Sequence, residues 1–229
     1  MSYHRKLKNT LYFVTAIFTI TTIIFTALQL KHKASVTFSI INNISICILT
    51  GCAIALIQAV IGYKTAKHDS LLIFYKDAIM LEDKIIHYPY MNSGFIDAPT
   101  GLKDVREILT LFSSTIRLSY LQIDMNGRLD DVLKAAKELF STYDKEIDNF
   151  RKFENTLCDA IRFMDKTDEE LIKEGIVNIE LATKMVNENL QQHEKTIESS
   201  YNDETLRKKR NKAFEVLEEY LFKKKVHNQ

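Results

Sequence analysis

The sequence predicts an all-α membrane protein, in which a two-span transmembrane hairpin is followed by a cytoplasmic helical bundle. Two stretches without any charged residue, Asn9 to Leu30 and Ala34 to Tyr63, predict the hairpin, and only a Lys-His-Lys connector separates them. Each is long enough to cross a hydrocarbon core of about 30 Å, which needs about 20 apolar helical residues. Apolar residues at helical spacing throughout residues 64–229 predict the bundle.

These patterns divide the chain into two predicted domains. Residues 1–63 hold an N-terminal segment and two transmembrane helices, at about 10–30 and 36–63. Residues 64–229 form the cytoplasmic α-helical domain, which is interrupted by a Pro/Gly loop at 87–101. Both prolines of the chain, Pro89 and Pro99, fall in that loop.

Five helices are predicted after the second span, in the order 71–85, 105–121, 131–161, 168–185 and 206–222. The first continues from the second span, and the second ends at the turn signal Asn126-Gly127. Asp130-Asp131 opens the third, and the capping-box pattern from Thr167 to Glu170 opens the fourth, with a break or bend near Gly175. No strand pattern of any length interrupts this series.

Basic residues predict the orientation of the hairpin. Five Lys or Arg and no Asp or Glu precede Lys64, and the connector offers only Lys31 and Lys33. Because positive charge near span ends favours the cytoplasm, we expect both termini to be cytoplasmic. A cleaved signal peptide is the competing interpretation of the first span. The lack of a small-x-small cleavage site and the closeness of the second span favour a retained span.

Polar residues recur along each span in regular rows. In the first span the row is Thr15, Thr19, Thr22, Thr26 and Gln29, at alternating steps of four and three. In the second span the row is Ser39, Asn43, Cys47, Gly51 and Ala55, at steps of four, and Gln58 and Gly62 continue near its end. They allow two interpretations, which can coexist: small and polar residues pack helices together, or they line a watery conduit. Since two spans are too few to enclose a pore, the second interpretation requires a homo-oligomer in the lipid bilayer.

Enzyme and cofactor motifs are missing from the sequence. We find no nucleophile elbow, no phosphate-binding glycine loop, no dinucleotide fingerprint and no HExxH zinc motif. The three cysteines, Cys47, Cys52 and Cys158, form no metal-binding cluster. We therefore expect no catalytic residues, no metal site and no cofactor.

The residues at the exit of the second span resemble a known family. Gly62-Tyr63-Lys-Thr-Ala66-Lys-His68, followed by Tyr75 and Leu81, is similar to the juxtamembrane signature of the SLATT family. These are two-transmembrane effectors associated with SMODS nucleotidyltransferases and SLOG domains. The resemblance covers about residues 10 to 88, and it marks Tyr63, Ala66, His68 and Tyr75 as motif residues. It implies a bacterial inner-membrane effector of nucleotide-signalled conflict systems, which forms pores that kill or arrest an infected cell.

A basic cluster near the C-terminal end is a candidate site for an anionic ligand, such as a cyclic nucleotide, nucleic acid or acidic headgroups. Its members are Arg207, Lys208, Lys209, Arg210 and Lys212. Interleaved glutamates support the alternative of an ordinary charged helix surface. Lys223 to Lys225 form a second basic cluster, and the aromatic residues Tyr88, Tyr90 and Phe95 in the Pro/Gly loop are a comparable candidate.

Two functions are consistent with these patterns. In the first, the chain is an oligomeric effector that permeabilises the membrane when a cyclic nucleotide or a cytoplasmic protein triggers its helical domain. In the second, the chain is a membrane-anchored sensor or scaffold whose spans serve only as an anchor.

Overall fold

The structure, a computed structural model, describes residues 2–31, 36–91, 98–126 and 129–222. Within these ranges all regular secondary structure is helical, which confirms the all-α prediction. The chain forms two compact units, Met1–Ser70 and Leu71–Gln229. The predicted domain boundary, after Tyr63, lies a few residues earlier.

The helices of the described residues follow one another in a simple order. They are α1 (Ser2–Lys31), α2 (Val36–Met91), α3 (Ala98–Leu111), a π-helical turn (Phe112–Ile116), α4 (Arg117–Gln122), α5 (Asp131–Met164), α6 (Asp168–Lys173), α7 (Ile179–Tyr201) and α8 (Glu204–Phe222).

Helices α1 and α2 are long and apolar enough to cross a membrane. Their most apolar windows are 0% and 11% buried, unlike a core helix of a soluble protein, which is mostly buried. Large apolar side chains such as Phe13, Ile20, Ile44 and Ile57 are exposed along both helices. The prediction of two spanning-length apolar helices is therefore confirmed, and most of the connector, residues 32–35, lies outside the described residues.

The break predicted at 87–101 is narrower than expected. Helix α2 continues through Pro89 to Met91, and α3 begins at Ala98. Pro99 occupies the first turn of α3, where proline's missing N–H is not needed for a helical hydrogen bond. The remaining residues, 92–97, which include Phe95, lie outside the described part of the chain.

The second unit is built around α5, which packs against α3, α7 and α8. Its buried face recurs at helical spacing, as the sequence predicts, through Leu139, Tyr143, Ile147, Phe150, Phe153 and Leu157. Tyr88 of α2 is 2% exposed, and its ring meets that of Phe150 edge-on at 5.4 Å. Tyr88 is therefore a core residue, and its burial corrects the prediction that its ring belongs to a candidate ligand site in the Pro/Gly loop.

A π-helical turn interrupts the helix predicted at 105–121. Both Phe112 and Ile116 are buried, and i→i+5 bonding widens the turn so that residues four apart stay on the same face. Ser113 Oγ donates to the Leu109 carbonyl at 2.8 Å, and Ser114 Oγ donates to the Thr110 carbonyl at 2.6 Å. These hydroxyls give the Leu109 and Thr110 carbonyls, just before the π-helical turn, side-chain hydrogen-bond donors.

The predicted helix starts of the second unit are confirmed. The Asp130 side chain caps α5 by accepting a bond from the Leu133 N–H at 3.1 Å. Thr167 and Glu170 form a complete capping box at the start of α6. Gly175 has a φ of 89°, a left-handed conformation that suits glycine, and it separates α6 from α7 near the predicted break.

Replacing Phe150 by alanine should lower the free energy of unfolding by about 3–5 kcal/mol, because Phe150 is fully buried and its loss leaves a cavity. Urea unfolding of the full chain in a nonionic detergent measures this. Met185→Ala, at a side chain that is 62% exposed on α7, is the control and should change stability little. Equal effects of the two variants would contradict the packing described around α5.

Candidate functional site

A chain of side-chain hydrogen bonds joins α1 to α2 within the first unit. Asn42 is 6% exposed, and its Nδ2 donates to Gln29 Oε1 at 2.7 Å. Thr26 shares its hydroxyl proton between Asn42 Oδ1, at 3.1 Å, and the Thr22 carbonyl, at 2.8 Å. Gln29 Nε2 lies 3.5 Å from Ser39 Oγ. Because hydrocarbon offers no alternative partners, these bonds satisfy amides that would otherwise be costly in a membrane.

Only some members of the polar row predicted on α1 lie at this interface. Thr15, Thr22 and Gln29 are half-buried, whereas Thr19 and Thr26 are more exposed. The Thr19 and Thr22 hydroxyls donate to carbonyls of their own helix, each at 2.8 Å. Such local bonds satisfy the hydroxyls without any second helix.

Beyond Ser39, the polar row predicted on α2 faces away from this interface. Asn43, Cys47, Gly51 and Gln58 are exposed in the single chain, whereas Ser39 is half-buried beside Gln29 of α1. No hydrogen bond joins the Asn43 or Gln58 amide to any residue that the structure describes. These four members of the row therefore do not face α1.

The residue that joins the two helices is Asn42, the neighbour of the predicted Asn43. The buried side of α2 follows steps of three and four, through Asn42, Ser45, Leu49, Cys52, Leu56 and Ala59, which are buried or half-buried. This spacing is typical of helices that pack side by side, whereas a row at steps of four winds around the helix. The sequence contains both spacings, and contact with α1 selects the one that passes through Asn42.

The juxtamembrane motif residues are divided between the two units. In the first unit, the Lys8 ammonium lies 4.2 Å from the centre of the Tyr63 ring, a cation–π contact between α1 and α2. Ala66 is half-buried, and His68 Nδ1 lies 3.5 Å from Asp69 Oδ1. In the second unit, Tyr75 is buried and its hydroxyl donates to Glu218 Oε1 of α8 at 2.7 Å.

Four members of the predicted basic cluster lie on the surface, and one lies in the core. Arg207, Lys208, Lys209 and Lys212 are exposed on α8, but Arg210 is fully buried. This corrects the prediction that Arg210 shares a surface site for anions, since a helix of 3.6 residues per turn directs it toward the core. The second cluster, at 223–225, lies outside the described residues.

The exposed lysines border a surface hollow of about 410 Å³. Lys208, Lys209 and Lys212 line it together with Glu138, Glu204 and Thr205. Lys208 pairs with Glu204 at 2.7 Å, whereas Lys209 and Lys212 have no ion pair within the described ranges. Because Glu138 offsets one of these two lysines, the hollow has an excess of one cation for a ligand in solvent.

Arg210 instead belongs to a buried charge network that joins α2, α5 and α8. Its Nη1 donates to Glu146 Oε2 of α5 at 2.7 Å, and its Nε lies 3.4 Å from Glu82 Oε1 of α2. The Tyr143 hydroxyl donates to Glu82 Oε2 at 2.8 Å. The guanidinium also lies 5.3 Å from the centre of the Tyr201 ring of α7. Four helices thus contribute side chains to one buried cluster.

Burial governs the protonation of this cluster. Desolvation raises the pKa of Glu146 to about 7, and the negative charge of Glu82 adds to the rise, although Arg210 opposes it. Burial, and then Glu82, also hold the pKa of Tyr143 well above its usual value. Arg210 Nη2 and Glu146 Oε1 are buried without a hydrogen-bond partner among the described residues. Loss of one charged side chain of the cluster would therefore leave its partners buried without a compensating charge.

Comparisons of the chain with family models, curated proteins and solved structures gave no match. Among the described residues, no group of three or more His, Cys, Asp or Glu is placed to hold a metal ion. Function is therefore inferred from the hairpin, the charge network and the surface hollows.

Arg210→Met should lower the free energy of unfolding by about 3–5 kcal/mol, because it leaves buried Glu146 and Glu82 without their cation. The double variant Arg210→Met/Glu146→Leu should recover much of this loss. Lys209→Met, at the exposed neighbouring position, should change it by less than about 0.5 kcal/mol. Denaturant unfolding of the three variants measures these free energies. Equal losses in Arg210→Met and Lys209→Met would contradict the network.

Stability should also fall as pH rises through neutrality. The pKa of Glu146 is about 7 in the folded chain, above its ordinary value of 4.5, so folding favours the protonated acid. The protonated acid therefore adds at most about 3 kcal/mol to the free energy of unfolding. This stabilisation is fully present below about pH 4.5 and is lost as pH rises through about 7. The groups that face it are Glu82, Arg210, Tyr143 and Tyr201.

The measurement is the free energy of unfolding between pH 5 and pH 8, compared with that of Glu146→Gln. The difference between the two proteins isolates Glu146 from other titrating groups, and it should change with pH in this window. A difference that stays constant would show that Glu146 is ionised throughout.

Proposed function

We propose that the chain is an oligomeric membrane effector, whose hairpins assemble around a conduit and permeabilise the bilayer. The outward polar row of α2 carries this proposal. Asn43 and Gln58 are exposed on a helix apolar enough to span a membrane, and no described residue bonds their amides. An amide left unpaired in hydrocarbon costs several kcal/mol, so water or another polar chain is the expected neighbour.

The hairpin's own contacts support assembly beyond one chain. Asn42, Thr26 and Gln29 already bond one another inside the hairpin. The outward amides are therefore additional to what holds α1 against α2. Since two helices cannot enclose water, the proposed conduit requires several copies, with Asn43 and Gln58 of each copy facing the lumen.

The cellular setting is part of the same proposal. The resemblance to SLATT effectors and the basic span ends support a bacterial inner-membrane protein with both termini in the cytoplasm. In this setting the second unit receives the trigger, either a nucleotide or a cytoplasmic protein. The hollow beside Lys209 and Lys212 suits an anionic trigger, and α8 there is joined to α2 through Arg210 and Glu82.

A membrane-anchored sensor or scaffold is the second candidate, and the same basic hollow favours it, because ligand binding needs no conduit. Replacing both apolar stretches by an unrelated apolar hairpin distinguishes the two functions. An anchored sensor should keep its cellular activity after the exchange, whereas a conduit-forming effector should lose it.

Asn43→Leu should abolish ion leakage from liposomes that contain the protein, because leucine removes a polar group from the proposed lumen. Asn42→Leu, one residue earlier, should instead weaken the contact of α1 with α2, since it breaks the bonds to Thr26 and Gln29. Ile44→Leu, at an exposed apolar position, is the neutral control. Leakage and the detergent-corrected mass of each variant are the measurements.

Three results would overturn the conduit. Asn43→Leu and Gln58→Leu variants that leak like the parent would show that the outward row does not line the path. A parent of monomeric or dimeric mass would leave too few spans for a ring. A parent that assembles into about four or more copies but never leaks, with or without candidate triggers, would favour the anchored sensor.

A further inference from the structure

A groove of about 620 Å³ lies between α2 and α3 in the second unit, on a different surface from the basic hollow of α8. Its walls include Met80 and Lys84 from α2 and Lys103, Arg106, Glu107 and Leu111 from α3. A groove of this volume is in the range that holds a small organic molecule. Neither the membrane function nor the charge network uses it.

Cations outnumber carboxylates in the lining of the groove, with Lys84, Lys103 and Arg106 against Asp83 and Glu107. Lys84 pairs with Glu107 at 2.6 Å, and Arg106 Nε pairs with Glu154 at 2.9 Å. Asp83, the remaining acid of the lining, lies 3.2 Å from His87 Nδ1, which carries a charge only when the ring is protonated. Lys103 is exposed and has no ion pair within the part of the chain that the structure describes. The groove therefore favours a ligand with one negative charge.

Apolar and hydroxyl groups complete the lining. Met80 is 54% exposed and Leu111 is half-buried, so both present apolar surface toward the groove. Ser114 and Thr115 of the π-helical turn also line it. Ser114 donates its proton to the Thr110 carbonyl at 2.6 Å, and its oxygen lies 3.4 Å from Thr115 Oγ1. A hydroxyl oxygen has two lone pairs, so it can accept a further bond from a ligand. Turns of this kind occur often at functional sites.

We propose that this groove binds a small amphipathic anion, with a carboxylate or phosphate on the Lys103 ammonium and an apolar body on Met80 and Leu111. The hydroxyls of Ser114 and Thr115 offer hydrogen bonds to polar atoms of that body. A ligand in this position contacts α2 and α3 together and stabilises their packing. The site is independent of the conduit proposed above, and its test requires no leakage.

The experiment measures binding of 1-naphthyl phosphate and 1-naphthoate to the full chain in a nonionic detergent, by fluorescence anisotropy against a detergent blank. The chain contains no tryptophan, so protein emission interferes little with the naphthyl signal. Inorganic phosphate and 1-naphthol are the partial ligands, since the first lacks the apolar body and the second lacks the acid. Using both acids distinguishes a phosphate ligand from a carboxylate one.

Lys103→Glu should weaken binding of the anionic probe by roughly tenfold or more, because it replaces an attractive charge with a repulsive one. Lys195→Glu is the matched control, since Lys195 is also exposed, on α7, and has no ion pair among the described residues. Met80→Gln, which keeps the length of the side chain, should weaken binding severalfold. Circular dichroism of each variant verifies that it is folded.

Several outcomes would overturn the site. A parent that bound neither acid would show that the groove is not a site for these anions. Equal weakening of binding by Lys103→Glu and Lys195→Glu would show a general charge effect. If inorganic phosphate competed as strongly as naphthyl phosphate, the groove would be a simple anion site. If 1-naphthol bound as tightly as the two acids, the groove would be an apolar site that does not recognise charge. Loss of binding only in the Lys103 and Met80 variants supports the proposal.

Discussion

The second unit depends on one buried cation. Arg210 is withdrawn completely from solvent and is held between Glu146 of α5 and Glu82 of α2. Burying a guanidinium is costly unless carboxylates surround it, so this arrangement requires three helices to be in place together. Apolar packing tolerates small shifts between helices, but a buried ion pair does not. The network therefore specifies how α8 docks as much as it stabilises the docked state.

Both units bury polar side chains, and each unit satisfies them with a different kind of group. In the second unit, buried charges neutralise one another. In the first unit, whose helices are long and apolar enough to cross a membrane, neutral amides and hydroxyls pair instead, with Asn42 bonded to both Thr26 and Gln29. Both arrangements satisfy polar atoms away from water, and both leave the opposite faces of their helices available for other contacts.

Much of the fold follows from the sequence because it rests on spacing and on helix termini. The apolar face of α5, the caps at Asp130 and Thr167 and the break at Gly175 all arise from local chemistry. What spacing cannot decide is which polar residue faces inward. Asn42 and Asn43 are chemically identical neighbours, and only the partner helix selects between them. Arg210 likewise sits among exposed basic residues, and its burial depends on acids far away in the chain. The π-helical turn depends on how Phe112 and Ile116 fit a core that is assembled from other helices.

The length of α2 has a consequence for the membrane itself. Its predicted spanning part, residues 36–63, rises about 42 Å at about 1.5 Å per residue, whereas an average hydrocarbon core is about 30 Å thick. The difference is a hydrophobic mismatch, which helices relieve by tilting, by thickening the bilayer around them or by clustering. In a bilayer, a helix with so long an apolar part is therefore sensitive to membrane thickness, and thin membranes favour its tilted or clustered arrangements.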